Sequence, residues 1–73
     1  MYQNTYRKLG LNIKKYRVLK GLTQEKLADK VNLSLDFIGK IEIAYSKPSL
    51  DTIISIANAL EIPLKDLFDF ENK

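Results

Sequence analysis

Two helix-start signals, Thr23-Gln24 and Ser34-Leu35-Asp36, lie eleven residues apart with almost no loop between them. Each sets a short polar side chain beside backbone N–H groups that a helix leaves unpaired at its N-terminus. Such ends attract anions, phosphate above all. Lys40 and Lys47 add cations further along the chain, and Asp36 adds an acceptor. This is chemistry for recognition rather than for making bonds. The 73-residue chain has no histidine and no cysteine, so disulfides and thiolate metal sites are excluded and zinc is not expected. Asp, Glu, Lys and Tyr remain, but no pair of them stands in a recognisable acid–base arrangement. No enzyme is expected, and no cofactor, metal or small-molecule ligand is implied.

Charge is unevenly spread. Residues 1–30 carry eight Lys or Arg against Glu25 and Asp29, a balance of +6, and residues 31–73 carry four Lys against seven acids, a balance of −3. A basic end suits a polyanion and an acidic end repels one. The alternative is that Lys14, Lys15 and Lys20 merely solvate a surface helix, and charge alone leaves both readings open. A hydrophobic content of 45% with 29% charged residues is globular. The length suggests one domain over residues 1–73, small enough that a partner subunit would help it. MYQNTYRKLG lacks the apolar core of a signal peptide, and IISIANAL is too short to span a bilayer. A soluble cytoplasmic protein with no membrane partner is expected.

The elements that must position the site are helical. Leu9, Ile13 and Tyr16 share one face of a first helix over roughly residues 4–20, stopped by Gly21. Thr23 caps a second helix and Leu22 can staple onto Leu27, with Val31 on the same face and the small Ala28 beside them. Asn32 tolerates the left-handed backbone that ends it. Ser34 caps the third helix, Leu33 can staple onto Ile38, and Asp36 suits the positive end of the helix dipole. After the loop AYSKP, Pro48-Ser49 opens a fourth helix with Leu50, Ile53, Ile56, Ala57 and Leu60 as its apolar stripe. Glu61-Ile62-Pro63 breaks it, and a short fifth helix closes the core with Leu64, Leu67 and Phe68. The expected fold is all-α, five helices with a core over about residues 6–69.

Helices two and three, over about residues 23–43, are joined too tightly to lie side by side and must cross steeply, as in a helix–turn–helix. In that geometry one helix braces on a DNA backbone while the next enters the major groove. Plain core packing could produce the same pair. The order KGLTQEKLA, VNLSLDFIGKIE, KPSLDTIISIANAL and IPLKDLF, however, resembles the lambda-repressor-like (XRE, Cro/repressor) family of transcription regulators over about residues 9–68. That resemblance implies a sequence-specific DNA-binding regulator, a repressor. It would work as a homodimer on a two-fold symmetric stretch of double-stranded DNA, with the helix at about residues 34–43 in the major groove.

The resemblance also implies roles. Gln24 matches a glutamine that grips phosphate, and Lys47 matches a position that contacts the DNA backbone. Ser34, Leu35, Asp36 and Lys40 match the start and outer face of the recognition helix. Arg17 and Glu42 match a pair tying helix one to the end of helix three. Some positions depart from the family pattern. Leu35 can meet only a thymine methyl or sugar, and Asp36 can accept from cytosine N4 but is repelled by phosphate. Gly39 sits mid-helix, and Ala44 stands where glycine is usual. Leu35, Asp36 and the acidic tail also suit a protein-interaction module on the same fold, an antitoxin or anti-repressor subunit with weak DNA binding. Ile54 and Phe70 lie outside the expected core and suggest a dimer face on helix five, the tail and part of helix four.

Overall fold

The computed structural model describes residues 2–70. Five helices follow one another: α1 (Tyr2–Leu19), α2 (Gln24–Val31), α3 (Leu35–Glu42), α4 (Leu50–Leu60) and α5 (Leu64–Leu67). No strand occurs among the described residues. None of the helices there is long and apolar enough to cross a membrane.

Local chemistry sets the boundaries. Gly21 closes α1 from a left-handed φ of 73°, and the Leu22 N–H donates back to the Arg17 carbonyl at 3.0 Å. The side-chain oxygens of Thr23 and Ser34 accept from the backbone N–H groups of Lys26 and Phe37, each at 3.0 Å. Ser49 does the same for Thr52 at 3.2 Å. Each cap satisfies a donor that the helix itself cannot, which stabilises its start by about 1 kcal/mol. Asn32 ends α2 at φ 58°, and the Leu33 N–H donates to the Ala28 carbonyl at 2.9 Å. The chain therefore turns in Asn32, Leu33 and Ser34 straight into α3.

The core gathers Leu9 and Ile13 of α1, Leu27 and Ala28 of α2, and Ile38 and Ile41 of α3. From the C-terminal half come Ile53, Ile56, Ala57 and Leu60 of α4 and Leu67 of α5. Leu22 and Leu33, just before their caps, pack on its edge. α1 approaches the end of α3 so closely that a Cβ on Gly10 would meet the Ile41 and Glu42 carbonyl oxygens at 2.6 Å. Only glycine fits there. The acidic end is tied down by Asn12, whose side-chain amide donates to the Leu67 carbonyl at 2.9 Å and the Asp69 carbonyl at 3.3 Å.

Three apolar side chains differ from the sequence expectation. Leu50 is 60% exposed: it is the first residue of α4, on the flank of the stripe, and no neighbouring element covers it. Phe68 is 39% exposed because α5 ends one residue before it. Phe70, expected on an interface, instead folds back, half-buried against the core and edge-on to Phe68, with the Lys8 ammonium 5.8 Å from its ring centre. Part of its apolar area is thus used within the chain.

Candidate nucleic-acid interface

The base of the helix pair is held by a buried polar network. Arg17 of α1 donates to Glu42 of α3 twice, Nε to Oε2 at 2.6 Å and an Nη to Oε1 at 3.1 Å. The other Nη donates to the Leu22 carbonyl at 2.9 Å, and Gln24 Nε2 donates to Glu42 Oε1 at 2.9 Å. The Arg17 and Glu42 side chains are only 10% and 2% exposed. Two charges taken out of water in this way are tolerable because the geometry is bidentate and Gln24 adds a third hydrogen bond to the carboxylate. The network joins α1, the start of α2 and the end of α3, and so fixes how α3 projects. Gln24 thus orients Glu42 as well as standing at a helix start. Its second amide hydrogen is still available to a ligand.

The outer face of α3 has the opposite character. Leu35 is 50% exposed, and Ser34 and Asp36 are also exposed at the N-terminus of the helix. Asp36 Oδ2 and Lys40 Nζ form an ion pair at 2.9 Å across one helical turn, with side chains 75% and 42% exposed. Such a pair contributes only about 0.3–0.5 kcal/mol and can be exchanged for a ligand. The Lys40 ammonium also lies 5.6 Å from the centre of the Tyr45 ring. The i,i+4 spacing of Asp36 and Lys40 was the signal in the sequence for this pairing.

The loop after α3 is strained at one point. Ala44 adopts φ 63°, with its N–H donating to the Ile41 carbonyl at 3.1 Å. An alanine here pays about 1 kcal/mol relative to glycine. The turn leaves Ile43 and Tyr45 on the surface, 73% and 76% exposed, with Tyr45 beside Lys40 of α3; neither stands out in the sequence as a surface group. Lys47 is exposed and lies apart from the other site residues, its ammonium 5.6 Å from the Tyr6 ring centre on α1. Gly39 makes no close backbone approach: a Cβ there would meet only the Gln24 side chain, at 3.6 Å.

The structure therefore brings Arg17, Gln24 and Glu42 into one buried cluster and Asp36 and Lys40 into one exposed pair. Ser34 and Leu35 stand next to that pair at the helix start, and Lys47 is separate. A short helix braced at its base, with its outer face uncovered, is the arrangement of a helix–turn–helix, and the family it matches makes it that of a DNA-binding regulator. Residues 13–67 match the family described as helix-turn-helix, and the chain belongs to that family of XRE-type transcription regulators. It is 43% identical over 54 residues to the immunity repressor protein of Bacillus phage phi105, a match covering 74% of this chain and 38% of that protein's length. The control protein C.BamHI of Bacillus amyloliquefaciens is 39% identical over 62 residues, covering 84% of this chain and 76% of that one. The crystal structure of the restriction-modification controller protein C.AhdI from Aeromonas hydrophila matches at TM-score 0.84 with 35% identity, over 86% of this chain and 96% of that one.

Proposed function

We propose that the protein is a repressor that binds a two-fold symmetric operator as a homodimer, with α3 in the major groove. The observation that carries this reading is the contrast along α3, whose base is fixed by the Arg17–Glu42–Gln24 network while Leu35 and Asp36 are exposed and Lys40 is half-exposed. Asp36 reads a base edge, accepting from cytosine N4, and Leu35 meets a thymine methyl or a sugar. Gln24, Ser34 and Lys47 take backbone phosphates, and Lys40 reaches either. The immunity repressor, the control protein C.BamHI and the restriction-modification controller protein C.AhdI support the reading as a regulator, which would act in the cytoplasm.

Dimerisation rests on the apolar groups left exposed. Leu50 and Ile54, one turn apart on α4, and Phe68 are uncovered in the single chain. Leu50 and Phe68 line a cavity of about 310 Å³ together with Tyr6, Leu9, Pro48 and Ile53. A second copy covering this face would set two recognition helices about 34 Å apart, one turn of DNA. The apolar groups on α4 and Phe68 supply the described part of this face. Phe70 is partly packed on the core, and residues 71–73 of the expected tail contact lie outside the described residues. Selection of bound sequences from a random duplex library is expected to return a palindrome. Sedimentation giving a monomer at high micromolar concentration, with and without that DNA, would overturn the dimer.

A second reading has its own observation. Leu35, Ile43 and Tyr45 are exposed apolar groups close to the recognition face, as a protein-binding module would have. Salt-sensitive binding of random duplex DNA in a gel shift favours the repressor, and none at low salt favours the module.

A further inference from the structure

The basic residues of α1 do not form one uniform surface. Lys8 and Lys15 lie near aromatic rings, Lys8 by Phe70 and Lys15 5.0 Å from the Tyr16 ring centre. Arg7 and Lys14 are different. Both are exposed, and among the described residues neither is paired with an acid. They are seven residues apart, so they project from the same side of the helix about 10 Å apart along its axis. Both line a groove of about 310 Å³ whose other walls are Leu11, Gln24, Glu42 and Ile43. The groove thus runs from the middle of α1 to the N-terminus of α2 and the end of α3.

Electrostatics favour an anion in this groove. Its one acid, Glu42, has both oxygens engaged: Oε2 accepts from Arg17, and Oε1 accepts from Arg17 and Gln24. Arg17 balances the Glu42 charge, which leaves Arg7 and Lys14 as the net charge on the walls. Leu11, 62% exposed between them, and Ile43, 73% exposed across from them, offer apolar surface of the kind a deoxyribose covers. The groove also meets the α2 start, where the proposed function puts a phosphate on Gln24.

We infer that Arg7 and Lys14 form a second backbone-binding track, in which the DNA strand held at Gln24 continues along α1 past Leu11. This inference rests on the DNA-binding reading above and extends it to base pairs beyond those that α3 reaches. Each phosphate neutralised releases counterions, so two such contacts add about 1.8 to the slope of log K against log salt. Lys15 on the same helix and Lys20 just past its end carry the same charge but lie outside the groove and supply the control.

The test is binding of the full chain to a random-sequence duplex, titrated between 50 and 200 mM salt. Arg7→Gln/Lys14→Gln is expected to lower the salt slope by about 1.8 and to weaken binding at 50 mM at least tenfold. Lys15→Gln/Lys20→Gln is expected to leave the slope within half a unit of wild type. Thermal melts are expected to match wild type for both, since all four side chains are exposed. An unchanged slope in the Arg7/Lys14 variant overturns the track but leaves the recognition face standing, and so does an equal fall in the control. Wild-type protein that binds no duplex even at low salt overturns the track and the DNA-binding reading together.

Discussion

The two ends of the helix–turn–helix are built on opposite principles. At its base, Arg17 and Gln24 both donate to Glu42, and the ion pair is almost wholly buried. On its outer face Asp36 and Lys40 hold each other through a single exposed ion pair, with Leu35 bare beside them. The base carries folding energy and leaves a ligand little to change. The outer face carries almost no folding energy and leaves a ligand nearly everything. Stability and specificity are therefore separable here, and substitutions at each end should move different measurements.

The largest effect is expected at the base. Glu42→Gln leaves Arg17 buried without its counter-charge, a loss of about 3 kcal/mol, which is a large share of the stability of so small a domain. Arg17→Met should lose a similar amount. The double variant should lose less than the sum, because each single change already breaks the pair. Additive losses in denaturant titrations would mean that the pair is not coupled.

Gly10→Ala comes next. Its Cβ would press on two backbone carbonyl oxygens at 2.6 Å, forcing α1 away from the end of α3. A loss of about 1–3 kcal/mol is expected from such overpacking, although alanine is the better helix former. A melting temperature equal to or above wild type would contradict the close approach. Gly39→Ala should behave oppositely. At that position a Cβ finds ordinary contact with Gln24, so the substitution is expected to stabilise by about 0.5–1 kcal/mol. Ala44→Gly is expected to stabilise by at most about 1 kcal/mol, by relieving the left-handed alanine at the loss of one buried methyl.

The same divide explains what the sequence makes legible. Helix starts at Thr23, Ser34 and Ser49 are local events, decided by one side chain and an N–H three residues on, so they are readable without the fold. The left-handed stop at Asn32 is local too. Gly10 is not, because its need for glycine comes from a segment more than thirty residues away. The bond from Gln24 to Glu42, eighteen residues on, is likewise invisible without the fold. Leu50 fits the helical period and is still exposed, because the period says which side a residue faces and not whether another element covers it. Phe70 errs the other way: it lies outside any helical stripe, and its burial depends on where the chain goes after α5.

The account stands most directly on Asp36. If the outer face reads DNA, Asp36→Ala removes a charge that phosphate repels together with an acceptor that a base donates to. Binding titrations on operator and scrambled duplexes, at several salt concentrations, should then show affinity for scrambled DNA held or raised. The operator-to-scrambled preference should fall by about 1–3 kcal/mol, with the melting temperature nearly unchanged. A lowered melting temperature with the preference intact would make Asp36 a helix-start residue and contradict the assignment of this face to reading DNA.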